Sequence, residues 1–493
     1  MSNSNIVASY VLRSKNLPLI DFSLCVSNNL VISDLNNSND VVFDATSSSY
    51  SIKIDAIHTE NLHLFPKNLS NSPSEAELLN WIKRRKAPKN RQFVEKIMSA
   101  IDDSENPLKY VDVSHALSLN DAYWITNNIM DYDWDKLNLY SHPFDEALSY
   151  VAFTGHSEKI SGLLTSPEFT STGMLKKCWS NREDGIYLLK GDDAFLSSDG
   201  RSQASLEYYA AQVAEAFGIE HIDYDLEEFH HRNGDKEIVC KCKLFTSEDI
   251  GFVDASTYIS DMGIDISNSD LSGVEFHKKL NELFGQSYYD MMVFDSIIVN
   301  KDRHLRNFGM LVDNNTGEYL KPAPVFDNGY SLFLGAAKYD LEQGYKEYVD
   351  TLECRFFNKN KQAKLFVQER HLPRLRKLLE FEFKQHPKYP IDDRTVSVMS
   401  RFIQERAREI IALYHEKIAD IKRIMTEQKI LVKKNSLIDF VKKEHAKGKS
   451  FSRIEKAIKA SSNFDKNTLA LLNQIKNQAD IKAIIDKEQE HSR

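Results

Sequence analysis

Glycine and proline are scarce in this sequence. It holds 18 glycines and 12 prolines in 493 residues, about 6% together against a usual ~12%. That excludes collagen-like and Pro/Gly-rich disordered architectures and favours long regular elements, helices above all. Cysteine is scarcer, with five residues at positions 25, 178, 240, 242 and 354. Five irregularly spaced thiols build no disulfide scaffold, so a reducing cytosol is the expected compartment. No apolar run approaches the ~18 residues that a membrane span needs. The opening MSNSNIVASYVLRSKNLPL lacks the basic-then-apolar layout of a secretory signal.

What is present is an ordinary globular composition, 42% apolar and 27% charged, in a chain long enough for two or three domains. Charge is uneven. The net is −9, yet residues 431–493 carry 14 Lys/Arg and 8 Asp/Glu, a net of +6. A mildly basic tail fits either a solvated helical extension or a surface for nucleic acid. Residues 435–460 read as two short helices around Gly448, a layout shared with helix-turn-helix modules.

Residues 1–70 read as strands: YVLRS, DFSLCV, LVISD, VVFDA and YSIKIDAI are β-branched and aromatic runs between Asn/Ser clusters. In SPSEAELLNWIKRR, Ser72 or Ser74 precedes an acidic first turn and an apolar stripe, predicting a helix. Residues 160–250 return to strands around one clear helix, and 393–430 form a long periodic helix. The expectation is an α+β chain, strand-rich in front and helical behind, without internal repeats.

The chemistry concentrates in 289–333. An apolar helix, Met291 to Val299, runs into Asn300 and then Asp302, Arg303, His304 and Asn307. The run FGMLV, the turn DNNTG and a second short strand follow, then Phe326-Asp327-Asn328-Gly329. A hairpin can fold Asp327 back beside Asn307. One carboxylate and one amide oxygen form the small, hard donor set that Mg²⁺ uses alongside water and phosphates. Asp302 then stays free as base for an attacking hydroxyl, a protein-kinase-like set of parts.

Upstream, Ile186–Lys190 is a strand ending in lysine, with Ile186, Leu188 and Lys190 on one face. Seventeen residues on, Glu207 opens the helix SLEYYAAQVAEAFGI, which closes at Gly218. A strand lysine paired with a helix glutamate positions nucleotide phosphates in kinases. Ser166-Pro-Glu-Phe-Thr-Ser-Thr-Gly173 reads as a hairpin tip offering N–H and hydroxyl groups to phosphate, ahead of Lys177. Cys240 and Cys242, with no second pair at zinc-ligand spacing, read as inward-facing residues of a strand leading to the linker TSED.

Asn300-x-Asp302-Arg303-His304-x-x-Asn307-Phe-Gly, then Phe326-Asp327-x-Gly329, with YLLKG and LEYYAAQVAEAFGI upstream, resembles the HipA-like serine/threonine kinases. Lipid kinases of the phosphatidylinositol class share a similar Asp-Arg-His-x-x-Asn signature. The resemblance covers about 150–335 and extends toward 430. It implies a bilobal protein-kinase-like fold: an N-terminal α+β subdomain in 1–150, an N-lobe in 151–255, a helical C-lobe in 256–430 and a basic helical extension in 431–493. It implies ATP and Mg²⁺ as cofactors, Asp302 as catalytic base, and Asn307 and Asp327 on the metal. Lys190 would contact phosphates and Glu207 orient it, with Ser171, Thr172, Gly173 and Lys177 in the phosphate loop and His304 supporting the catalytic loop. Gly155-His-Ser-Glu-Lys159 competes as that loop. Autophosphorylation at Ser166, Thr170, Ser171 or Thr172 follows from the same resemblance. So do a cytoplasmic location, a protein substrate, and an antitoxin or other regulatory partner in those members that are toxins. AMP transfer, a lipid or small-molecule acceptor, and DNA binding through the tail are the rival readings. Residues 330–356 would form a mobile substrate segment.

Overall fold

The computed structural model describes residues 5–29, 47–99, 106, 108–144, 146–156, 165–192, 199–338, 341, 345–461, 466–478, 481–483, 485 and 486. The chain divides into two compact units, Met1–Ile411 and Ala412–Arg493. The strands expected at 30–34 and 41–45 lie outside the described residues.

The first unit begins with an antiparallel sheet of β1 (Asn5–Ser14), β2 (Leu17–Asn29), β3 (Ser47–Ile57) and β4 (Tyr123–Asn127), ordered β3-β2-β1-β4. Tyr10, Leu12, Phe22, Leu24 and Ile52 bury one face against Leu78, Trp81 and Ile82 of α1 (Glu75–Arg85). Of the two serines proposed to start that helix, Ser74 caps it. Its hydroxyl accepts from the Glu77 amide and the Glu77 carboxylate accepts from the Ser74 amide. Short helices α2 (Val94–Ser99), α3 (Lys109–Ser114), α4 (Trp134–Leu137) and α5 (Glu146–Thr154) lead to the next sheet.

That sheet holds β5 (Lys177–Arg182), β6 (Gly185–Lys190), β7 (Tyr224–His230) and β8 (Lys236–Lys243) in the order β5-β6-β8-β7. The helix α6 (Gln203–Phe217) packs on it through Ala204, Ala211 and neighbours. Ser202 caps this helix and Gly218, at φ +78°, ends it in the left-handed conformation. Glu207 therefore sits in the second turn of the helix and does not open it. Among the described residues no cluster of three His, Cys, Asp or Glu groups surrounds Cys240 or Cys242, and all five cysteines are free thiols.

After the linker 246–249 comes a helical half interrupted by one small sheet. β9 (Ile250–Asp254), β10 (Gly309–Asp313) and β11 (Tyr319–Pro322) pair in the order β11-β10-β9. Helices α7 (Ala255–Asp261), α8 (Val274–Phe284) and α9 (Gln286–Ile298) precede the hairpin. Tyr288 and every residue of 291–298 in α9 are buried, Asp295 and Ser296 included, so the second half of this helix is enclosed on all sides where it runs into the polar loop. Helices α10 (Tyr345–Thr351), α11 (Lys359–Phe366), α12 (Leu372–Lys377) and the long α13 (Asp393–Ala446) follow. A strand-rich lobe joined by a linker to a helical lobe is the α+β, kinase-like architecture that the sequence predicts.

Three expectations are corrected. The segment at 166–173 is no hairpin tip: Pro167–Phe169 is a 3₁₀ turn capped by Ser166, because proline favours the first helical position. The segment 330–356 is not loose where it is described. Leu332, Phe333 and Ala336 are buried, and Arg201 donates to the carbonyls of Phe333 and Ala336. Residues 339, 340 and 342–344 of it lie outside the described residues. The long helix runs past 430 to Ala446, since no glycine or proline interrupts it before Gly448. Among the described residues no helix is long and apolar enough to cross a membrane.

The second unit has its own small core. Val441, Phe451, Ile454, Ile458, Leu472, Ile475 and Ile481 cluster between the end of α13, α14 (Phe451–Lys459) and α15 (Lys466–Lys476). Its lysines are partly neutralised: Lys447 pairs with Glu444 at 2.6 Å, and Lys459 and Lys476 share Glu455 at 2.7 and 2.9 Å.

Candidate active site

Three elements meet at Lys190. Its ammonium ends β6 and lies 3.2 Å from a Glu207 carboxylate oxygen on α6 and 2.8 Å from Asp327 Oδ1. The other Glu207 oxygen accepts the Asn328 amide at 2.8 Å. Glu207 is thus fully buried and fully used. The 327–329 turn passes close to α6: a Cβ on Gly329 would lie 2.6 Å from the Gln203 carbonyl oxygen. Only glycine fits there.

Asp327 has φ +59°, a left-handed conformation that is costly for a residue with a side chain. Four neighbouring contacts hold it. The Asp327 amide donates to the Tyr224 hydroxyl at 3.1 Å, and the Asn328 amide to Glu207. Arg303 donates to the Phe326 carbonyl at 2.7 Å and to Asn328 Oδ1 at 2.5 Å. The same buried guanidinium grips the Asn307 carbonyl at 2.7 Å and the Asp295 carboxylate of α9 at 3.0 and 3.1 Å. Arg303 therefore joins the loop that carries Asp302 and Asn307 to the turn that carries Asp327.

Within the first loop, Asn300 Oδ1 accepts the Asp302 amide at 2.9 Å. Asn307 is buried and its side-chain NH₂ donates to the Asp302 carbonyl at 2.9 Å, which leaves Oδ1 as a lone-pair donor. The His304 amide donates to the Asp302 carbonyl at 2.8 Å, and His304 Nδ1 accepts the Arg306 amide at 3.2 Å. The imidazole thus accepts a backbone amide within the loop. The Asp302 carboxylate forms no hydrogen bond among the described residues.

Electrostatics separate the two aspartates. Burial and the nearby Asp327 charge raise the Asp302 carboxyl, with His304 opposing. Burial also acts to raise Asp327, but Lys190, Lys177 and Arg303 overwhelm it and drive the carboxyl far below the usual carboxylate range. Paired carboxylates pushed in opposite directions are a mark of divided roles. Burial lowers the Lys190 ammonium, yet Asp327 and Glu207 more than compensate and keep it firmly charged.

Lys177 stands directly across the β5–β6 pair from Lys190. Burial and that neighbouring charge lower its ammonium to about 8. Its Nζ donates to the Thr172 carbonyl at 2.8 Å and lies where a Cβ of Gly173 would be, 2.2 Å away. Gly173, at φ +93°, is what lets the lysine cross the loop. The Ser171 hydroxyl is turned inward, donating to the Pro167 carbonyl at 2.8 Å and accepting from the Trp179 indole at 2.7 Å. Ser166 and Thr170 are buried, whereas Thr172 is exposed. The competing loop beginning at Gly155 leaves the described residues at position 157.

Several contributors carry no sequence signal. Arg91 and Glu168 form a wholly buried ion pair at 2.5 Å. Arg91 also donates to the Lys177 carbonyl at 3.1 Å, and Glu168 accepts the Trp179 amide at 2.7 Å, so this pair fixes both ends of the 168–179 segment. Tyr224 and Asp295 were likewise invisible as partners. Arg303 stood inside the motif without a reason for being there.

Asn307 Oδ1 and the Asp327 carboxylate are oxygen donors of the kind a hard cation takes. Among the described residues no cluster of three or more His, Cys, Asp or Glu groups exists. A zinc-type cage is therefore not built from them, while a carboxylate plus an amide oxygen fits a hard cation that keeps most of its other ligands.

No family model and no curated protein sequence matches the chain. Among solved structures it is similar to the Helicobacter pylori proinflammatory kinase CtkA, at 17% identity and a TM-score of 0.38, over 50% of this chain and 93% of that one. It is also similar to HipA of the Shewanella oneidensis toxin–antitoxin system, solved with HipB and operator DNA, at 10% identity and a TM-score of 0.47, over 83% of this chain and 99% of that one.

Proposed function

We propose that the chain is a HipA-like serine/threonine kinase that uses ATP and Mg²⁺. The observation that carries this reading is the convergence of Lys190, Glu207 and Asp327, tied through Arg303 to the loop of Asp302 and Asn307.

Lys190, held by Glu207, binds phosphate oxygens, and Lys177 adds a second cation from the neighbouring strand. Asn307 and Asp327 would hold Mg²⁺, which when bound neutralises charge on the β- and γ-phosphates. Asp302, raised and without a hydrogen bond to its carboxylate among the described residues, aligns the acceptor hydroxyl and takes its proton. The Lys190 ammonium lies 2.8 Å from Asp327 Oδ1, so the group that would meet phosphate and a carboxylate that would hold the metal stand side by side. Thr172 is the exposed hydroxyl among the four candidates for autophosphorylation. Five free thiols fit a reducing cytoplasm. A protein substrate and a regulatory partner of antitoxin type follow from the motif resemblance.

Incubating the full chain with γ-labelled ATP and Mg²⁺ tests this. Label on the protein or on an added lysate protein, prevented when EDTA is present and absent from Asp327→Ala, is expected. Mass spectrometry of the product separates phosphate from the much heavier AMP. Label retained in Asp302→Asn and Asp327→Ala alike would refute the assignment.

A further inference from the structure

The long helix α13 carries an apolar stripe that nothing among the described residues covers. From 421 to 432 every residue is exposed, over more than three turns. Six of these twelve are large and apolar, among them Ile421 at 42%, Ile424 at 48%, Met425 at 52%, Leu431 at 56% and Val432 at 66% exposure. A helical stretch of this length without tertiary support is marginal in water. An exposed apolar stripe on such a stretch marks an association surface.

The spacing says which kind. With Ile421 and Gln428 at heptad position a, Ile424 and Leu431 fall at d, Ile418, Met425 and Val432 at e, and Asp420, Glu427 and Lys434 at g. Positions a, d and e form one seam, with a charged flank along g only. We propose that residues 418–434 pair with the same segment of a second copy of this chain as an antiparallel two-helix coiled coil. In that arrangement Ile421 meets Leu431 of the second copy, and the e residues face each other with Met425 at the twofold axis. Asp420 comes beside Lys434 of the second copy, and symmetry makes that pair twice. A parallel, in-register pair would instead place Asp420 and Glu427 against the apolar Met425 and Val432. The charge pattern therefore selects both the occupant and its direction. Gln428, a polar a residue, fixes the register. Glu427 lies opposite its own copy near the axis, a repulsion that makes the arrangement testable with both signs. None of this depends on the catalytic reading.

The test uses the full-length chain in light scattering and sedimentation equilibrium. Wild type is expected to run at twice the monomer mass in a concentration-dependent way. Lys434→Asp and Asp420→Lys should each weaken the dimer by about five-fold, as a surface ion pair broken twice would, and the double swap should restore it. Glu427→Gln should tighten it. Ile424→Glu with Leu431→Glu should give a monomer whose circular dichroism and melting temperature show a folded body. Should that variant fail to fold, disulfide trapping decides: Met425→Cys is expected to cross-link to its own copy on oxidation and Ile421→Cys is not. A wild type that stays monomeric at all concentrations, or a dimer that cross-links through Ile421→Cys and not through Met425→Cys, would overturn the proposal.

Discussion

The two acidic loops of the cleft differ in how they are held. Asp327 is gripped through its own amide, the Phe326 carbonyl and the Asn328 amide, and its carboxylate sits on Lys190. Asp302 is held through its backbone, by Asn300, His304 and Asn307, and its carboxylate forms no hydrogen bond among the described residues. One loop spends its contacts on immobilising a charge, the other on presenting one. A metal ligand must be rigid and ionised at any pH the cell meets. A base must be able to change protonation and to reach a substrate. In the proposed reading these two demands fall on two aspartates close enough to perturb each other.

The largest effect that could break this contrast is Asp327→Ala. It should abolish phosphate transfer, at least matching the ~10²–10⁴ loss typical of a missing base, and should also lower thermal stability, because Lys190 and Lys177 would be left with Glu207 as their one neighbouring counter-charge among these groups. Asp302→Asn should lose about 10²–10⁴ in rate with an unchanged or higher melting temperature. The sign follows from linkage. A carboxyl whose pKa is raised on folding destabilises the fold when ionised, so a neutral isostere removes that cost at neutral pH. Asp327 works the other way: its depressed pKa contributes stability above the unfolded value, near 4, that is lost only as pH falls toward the folded value. Scanning calorimetry of the two variants from neutral to acid pH checks the opposite signs, and equal shifts would erase the distinction drawn here.

Smaller effects sharpen it. Tyr224→Phe keeps the ring over Lys190 but removes the acceptor of the Asp327 amide. A loss of about one hydrogen bond, roughly 1 kcal/mol, should surface as a raised Mg²⁺ requirement with little change in the KM for protein substrate. The acid limb of the rate profile should titrate above an ordinary aspartate's ~3.9, reporting Asp302. Thr172→Ala is expected to change basal transfer least and to remove self-labelling; labelling that persists would move the acceptor elsewhere.

What could be read from sequence was local. The Asp302–Asn307 spacing, the Ser74 cap, the Lys190 strand and the Gly218 stop each lie within a few residues of their partners, where periodicity and capping rules apply. The contacts that lock the cleft join distant residues through backbone groups, which carry no side-chain pattern. The Tyr224 hydroxyl reaches the Asp327 amide across 103 residues and Arg91 reaches the Glu168 carbonyl across 77. The error at 166–173 has a different origin. Ser/Thr and glycine suit a hairpin tip, but Pro167 fixes the local chain as a helical turn, and local dihedral preference prevailed over composition.

Gly329 leaves no room for a methyl group beneath Gln203. Any replacement there would act as a wedge between the turn of Asp327 and the helix of Glu207, pressing on the Gln203 carbonyl and on the Glu207 side chain without removing a charged group. A protein mutated only at this spot could keep every ionisable residue of its cleft and still be silent, which makes position 329 the natural place to seek inactive forms that remain folded.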